Sequence, residues 1–188
     1  MSRRPRGVRR AANRRSRGAS LIVMVLWTTA LLFGALALAK SIVTSAQVQK
    51  SSEETALACE AATRQIEILK AGVYAEVFPR YNAVTSDNPG TGASPGASFA
   101  VPGLQAAPGD ADGNAGEIVF PVSTSNGARL AETTTAFPGF PRDLNLDGDA
   151  ADALLTTSRI LPVIVRIRWR SSGGGTRSTE IATTLGEP

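Results

Sequence analysis

The amino-acid sequence predicts an α+β fold, in which a long N-terminal helix with a transmembrane first half packs on a small antiparallel β-sheet. Three observations lead to this prediction. An uncharged apolar run fills residues 19–39, apolar residues then recur at spacings of three or four, and apolar and polar residues alternate near the C-terminus. The length of 188 residues suits one compact domain with an anchor.

The apolar run, residues 19–39, is long enough to cross a bilayer. As a helix at 1.5 Å per residue it would extend roughly 31 Å, about one hydrocarbon thickness. Residues 1–18 contain eight Arg and no acid, whereas the rest of the chain carries a net charge of −4. This bias predicts a cytoplasmic N-terminus and an exported C-terminal part. A basic tail can also bind nucleic acid, but its position directly before the apolar run disfavours that interpretation.

A cleavable secretory signal is the main alternative for the N-terminus. Such signals also have a basic start and an apolar middle, and Ala37-Leu38-Ala39 resembles a signal peptidase site. The length of the run and the helical pattern that continues beyond it favour an anchor that is retained.

Apolar residues continue along one helical face beyond the anchor. They are Ala58, Ala62, Ile66, Leu69, Val73 and Val77. With no Pro between Pro5 and Pro79, we expect one helix from about Ser20 to Phe78. The alternative is a membrane helix followed by a separate soluble helix.

Strands are predicted in the second half of the chain. Residues 82–116 are typical of a long loop with a short strand around Phe99, and residues 117–122 form another candidate strand that Pro121 would end. The strongest pattern alternates Val163, Val165, Ile167 and Trp169 with Ile164, Arg166, Arg168 and Arg170, which predicts one core face and one solvated Arg face. After a turn at 171–175, a return strand alternates Thr179, Ile181, Thr183 and Leu185.

These patterns divide the chain into four segments. They are a basic cytoplasmic leader (1–18), a transmembrane helix (19–43), an amphipathic helical extension (44–78) and an exported, loop-rich β-sheet domain (79–188).

The composition disfavours an enzyme. The chain has no His, which removes the commonest general base and His metal ligands. Cys59 is the single cysteine, so no intrachain disulfide can form. The sequence also has no Ser-x-x-Lys motif.

The layout resembles the type IV pilin and pseudopilin superfamily. The shared features are a basic leader ending in Gly18, the apolar run that begins Ala-Ser-Leu-Ile, the amphipathic extension and the C-terminal Val-x-Val-x-Ile-x-Trp hairpin. The resemblance implies that prepilin peptidase cuts between Gly18 and Ala19 and that Ala19 is then methylated. It also implies residence in the bacterial inner membrane and packing with other pilin or pseudopilin subunits.

One position departs from the family pattern. Members usually carry Glu five residues into the mature chain, where this sequence has Val23. That Glu is thought to pair with a neighbouring subunit's N-terminal amine, because a lone carboxylate in lipid is costly. The tip pseudopilin of type II secretion systems also lacks it. The resemblance therefore implies a minor or tip subunit of a type IV pilus or type II secretion filament. A membrane-anchored or secreted structural or binding module unrelated to pili is the alternative.

An acidic loop, residues 143–152, is a candidate calcium site. Alternate oxygen side chains before Gly148 match the first half of a calcium loop. Leu154 stands where an EF-hand has its bidentate Glu, so a looser site is expected. The alternative is a simple turn; some pseudopilins hold calcium in a comparable loop. The oxygen donors would be Asp143, Asn145, Asp147, the Asp149 carbonyl and Asp152.

Overall fold

The computed structural model describes residues 16–84, 86–89, 94–123 and 129–187, with side chains described from Ser20 onward. It contains two helices and a four-stranded antiparallel sheet, which confirms the predicted α+β class. The elements are α1 (Ser16–Ala71), α2 (Tyr74–Tyr81), β1 (Ser98–Phe99), β2 (Gly116–Val119), β3 (Ile160–Arg170) and β4 (Thr176–Gly186). The chain divides into two compact units, with the boundary between Ala46 and Gln47.

The first unit consists of the N-terminal part of α1. Its apolar side chains are exposed from Leu21 to Val43. Thr28 and Thr29 donate their hydroxyls to the carbonyl of Val25 at 3.0 and 2.8 Å, so the helix satisfies these polar groups internally. Among the described residues, one helix is long and apolar enough to cross a membrane. A signal sequence would also meet that criterion.

In the second unit, α1 packs on the sheet through the predicted apolar face. Ala58 and Ala62 are fully buried, and Ile66 and Leu69 are nearly so. The small alanines allow the helix to approach the sheet closely. These residues share one core with the apolar face of β3.

The predicted single helix to Phe78 is wrong, because the structure breaks it after Ala71. Gly72 follows, and Val73 adopts an extended conformation before α2 begins. Gly is the least favourable helix residue after Pro, which accounts for a break here rather than at Pro79, which lies inside α2. Val73 is therefore 66% exposed instead of lying in the core, while Val77 returns to the core at 2%.

The sheet has the order β1-β2-β3-β4, and all neighbours are antiparallel. Strands β3 and β4 form a hairpin with eleven paired positions. Its turn is closed by the N–H of Ser171, which donates to the carbonyl of Gly175 at 3.0 Å. Gly174 and Gly175 both have positive φ there.

The predicted core face of β3 is confirmed. Its four residues are at most 1% exposed: Val163, Val165, Ile167 and Trp169. The opposite face is only partly solvated, since Ile164 is buried and Arg166 is half-buried. Strand β2 is shorter than predicted and ends at Val119, two residues before Pro121.

Candidate functional site

The predicted processing site falls at the edge of the described residues. Gly18 and Ala19 belong to α1, but their side chains lie outside the described part, as does the leader up to residue 15. Val23 lies in the same helix, and its side chain is exposed in the isolated chain. Cleavage and methylation therefore remain predictions.

The acidic loop is built on a buried carboxylate that the sequence analysis did not single out. Glu132 has no exposed surface. Its Oε1 accepts the backbone N–H groups of Leu144 at 2.6 Å and Asn145 at 3.3 Å, and its Oε2 accepts that of Asp152 at 3.3 Å. The N–H of Glu132 also donates to the carbonyl of Asp152 at 2.8 Å. Glu132 thus ties the two ends of the loop together.

Asp143 shapes the first turn of the loop. Its two carboxylate oxygens accept the N–H groups of Leu146 at 2.6 Å and Gly148 at 3.0 Å. Leu146 has φ of 63°, a left-handed conformation that is unfavourable for a branched residue, and Gly148 has φ of 105°. The Asp143 bonds hold Leu146 in this conformation and leave its side chain 58% exposed.

Three of the predicted donors converge. The amide of Asn145 donates to Asp147 at 2.8 Å and to Asp152 at 3.0 Å. The pKa of Asp147 lies below its usual value because the N–H of Asp149 and the Asn145 amide donate to it. Asp149 itself accepts the N–H of Ala151 at 3.0 Å. The Asn145 amide N–H₂ therefore stands between two carboxylates.

The structure does not assign a metal to this loop. Within the described ranges, no group of three or more His, Cys, Asp or Glu side chains is placed to hold a metal ion. Calcium would require the Asn145 amide to rotate so that its oxygen faces the carboxylates in place of its nitrogen. Calcium binding stays a prediction.

A second buried carboxylate lies on α1, where the helix meets the hairpin turn. Glu54 is 8% exposed. It accepts the Trp169 indole N–H at 3.3 Å, the Ser171 hydroxyl at 3.0 Å and the Ser172 N–H at 3.0 Å. These hydrogen bonds lower the pKa of Glu54 from 4.5 to about 2. Those from Ser172 contribute most, followed by those from Ser171 and Trp169.

The sequence offered no signal for Glu54 or Glu132. Their neighbours in the sequence do not distinguish them from other acidic residues, and only the fold brings backbone N–H groups to them.

No protein-family model, no curated protein and no solved structure matches this chain.

Proposed function

We propose that this chain is a minor or tip subunit of a type IV pilus or type II secretion filament, processed by prepilin peptidase between Gly18 and Ala19. The proposal rests mainly on α1, which contains both an apolar stretch long enough for a membrane and a face that packs on an antiparallel sheet. This combination is what the pilin-like layout of the sequence predicts.

The proposed role is structural rather than catalytic. The apolar stretch would pack with the corresponding helices of other subunits in the inner membrane and later in the filament. The sheet domain would face the periplasm or the exterior. Val23 supports a minor or tip position, because it offers no carboxylate to a neighbouring N-terminal amine.

The acidic loop adds a second, narrower proposal. Loop 143–152 would bind calcium and become more rigid in the exported domain. Two observations support it: the strained conformation of Leu146 and the convergence of Asn145, Asp147 and Asp152. Backbone strain of this kind is concentrated at active sites and ligand-binding loops.

The processing step tests the main proposal directly. The full chain is co-expressed with a prepilin peptidase, and its mature N-terminus is determined by mass spectrometry. We expect an N-terminus at methylated Ala19. Gly18→Leu should abolish this product and leave the chain in the membrane, while Ser16→Ala serves as a neighbouring control that is still cut.

Two other outcomes would change the assignment. An N-terminus at Lys40 would establish a secretory signal and remove the pilin proposal. An uncut chain that stays in the membrane beside an active peptidase would favour the alternative, a membrane-anchored module unrelated to pili.

A further inference from the structure

A cavity of about 640 Å³ lies in the second unit, between α2 and the open end of the β3–β4 hairpin. We call it the α2 cavity. Tyr74 and Phe78 line it from α2, and Leu161 lines it from β3. Its volume falls within the range of roughly 300–1,000 Å³ that is usual for pockets that bind small molecules.

Two opposite charges, Arg159 and Glu187, lie side by side at this cavity. The N–H of Glu187 donates to the carbonyl of Arg159 at 2.9 Å, one position beyond the Ile160–Gly186 pair of the hairpin. Both residues are exposed, and both line the α2 cavity. Residues directly opposite each other on antiparallel strands have Cβ atoms about 4.5–5.5 Å apart, so an Arg and a Glu in these positions are within reach of an ion pair.

The same hairpin contains a matched pair that does form an ion pair. Arg166 and Glu180 are directly opposite each other, and Nε of Arg166 lies 2.6 Å from Oε1 of Glu180. Within the residues that the structure describes, Arg159 and Glu187 form no ion pair, either with each other or with another side chain. At the cavity, therefore, both charges remain free for a ligand.

The charges around the cavity balance. Besides Arg159 and Glu187, the charged residues that the structure describes in its lining are Arg129 and Asp87, which gives two of each sign. Asp87 accepts the side-chain amide of Asn82 at 2.6 Å, so Glu187 is the freer carboxylate. A simple anion or a simple cation would face like charges in this lining. A ligand that carries both charges and no net charge is matched to it.

The body of the cavity is apolar on one side and has hydroxyl groups on the other. Phe78 is half-buried, and Leu161 is 1% exposed. The Tyr74 hydroxyl lies 3.4 Å from Oγ of Ser158. Burial raises the pKa of Tyr74 above its usual value, the hydrogen bond with Ser158 lowers it, and the negative charge of Glu187 raises it. The Glu187 carboxylate is thus close enough to act on the phenol from the cavity side.

We propose that the α2 cavity binds a small zwitterion with an apolar body, a chemistry that free apolar amino acids and short peptides share. The ligand carboxylate would bond to the Arg159 guanidinium, which presents paired donors, and the ligand ammonium would bond to Glu187. The apolar side chain would pack against Phe78. An α-amino acid carries its two charges on one carbon, which suits neighbouring charges of opposite sign. This binding activity goes beyond the filament role proposed above.

Matched ligands test the proposal on the full chain in lipid nanodiscs. The probes are L-phenylalanine and the dipeptide Ala-Phe, and each has an amidated control without the carboxylate and an acetylated control without the ammonium. Isothermal titration calorimetry, corrected for empty nanodiscs, should give saturable binding of at least one probe and at least tenfold weaker binding of both its controls. Tighter binding of phenylalanine assigns the cavity to free amino acids, and tighter binding of Ala-Phe assigns it to short peptides.

Variants locate the binding to the neighbouring charges. Arg159→Gln and Glu187→Gln should each weaken binding of the zwitterionic probe at least tenfold. Arg159→Gln should leave binding of the amidated control unchanged, because that ligand has no carboxylate. Arg142→Gln is the matched control and should bind as wild type, since Arg142 is also exposed but is not part of the cavity lining. Circular dichroism confirms folding, and the ligand comparison stands by itself if a variant does not fold.

Three results would overturn the proposal. They are no saturable binding of either probe up to its solubility limit, a control ligand that binds as tightly as its zwitterionic probe, and wild-type binding by folded Arg159→Gln. An acetylated control that binds as tightly as its probe would reduce the cavity to a site for simple anions. None of these results bears on cleavage at Gly18, so the filament proposal is tested separately.

Discussion

The β3–β4 hairpin and the acidic loop 143–152 belong to the same unit but are ordered in different ways. The hairpin has eleven paired positions and a row of fully buried apolar side chains. The loop contains no strand and uses side-chain carboxylates to satisfy its backbone N–H groups. A buried Glu contacts each region: Glu54 at the hairpin and Glu132 at the loop.

The two carboxylates have different structural roles in these regions. Glu54 joins a separate helix to the hairpin turn, and the hairpin also has its own ladder and apolar core. Glu132 takes the place of a ladder, because it accepts three backbone N–H groups from both ends of the loop. The hairpin should therefore depend most on apolar packing and the loop most on one polar side chain.

The largest expected effect is in the hairpin. Trp169→Ala should destabilise the second unit, residues 47–188, by about 3–5 kcal/mol, because a large aromatic side chain that is 1% exposed leaves a cavity and Glu54 loses a donor. Urea unfolding of fragment 47–188 measures this. Arg168→Ala, next in the strand but exposed, is the control and should stay within about 0.5 kcal/mol. A loss under about 1 kcal/mol for Trp169→Ala would contradict its assignment to the core.

The hairpin could be predicted from the sequence because strand periodicity places every second side chain on one face. Val163, Val165, Ile167 and Trp169 carry that pattern without interruption. The helix break at Gly72 was not predicted because Pro79 is the stronger signal to end a helix, yet Pro79 lies inside α2. The apolar face of α1 was predictable for the same reason, because its residues recur at spacings of three or four, whereas the apolar stretch was predictable from its length without a charge.

For the loop, only the residue types and their spacing could be used for prediction. The spacing of Asp143, Asn145 and Asp147 suggested convergent oxygens, and the structure brings Asn145 and Asp147 together with Asp152 but turns Asp143 toward backbone N–H groups. The role of Glu132 depends on contacts 12 to 20 residues away along the chain. No local pattern encodes such contacts.

The loop should respond most to Glu132. Glu132→Ala leaves the buried N–H of Leu144 and the half-buried N–H of Asp152 without their acceptor. An unsatisfied group costs roughly 1–3 kcal/mol when it is buried and less when it is half-buried, so we expect a loss of about 2–4 kcal/mol. Hydrogen exchange should accelerate at Leu144 and Asp152 before it does in the hairpin. Glu132→Gln keeps one acceptor oxygen and should lose less. Uniform acceleration across the loop and hairpin would contradict the separate ordering of the two regions.

Acid should affect the hairpin through Glu54. Hydrogen bonds, first from Ser172, lower its folded-state pKa from 4.5 to about 2, so ionised Glu54 stabilises the fold above pH 4.5. This stability is lost as pH falls from about 4.5 toward 2, because the unfolded chain then binds the proton first. The melting temperature of Glu54→Gln should therefore lie below that of wild type at pH 6 and approach it at pH 2.5. A constant difference between the two proteins would exclude this role.

Calcium should produce the smallest effect and should act on the loop alone. Asp147 and Asp152 lie on either side of the Asn145 amide, and their repulsion would be relieved by a cation if the amide oxygen turned toward it. Leu154 offers no bidentate carboxylate, so we expect affinity near the weak end of the calcium range, about 1 mM. At tenfold excess, ligand linkage gives about 1.4 kcal/mol of stabilisation.

A thermal melt of fragment 47–188 in roughly 10 mM calcium and in chelator measures this stabilisation. Asp147→Ala should abolish the response. Asp112→Ala is the matched control, because Asp112 also accepts a backbone N–H two residues ahead, from Asn114 at 2.8 Å, but lies outside the loop. Calcium should also slow hydrogen exchange at Leu146 and Gly148, whose N–H groups donate to Asp143 within the loop. Hydrogen exchange in the hairpin should stay unchanged. If the wild-type melts in calcium and chelator coincide, residues 143–152 form a turn that Glu132 orders without a metal.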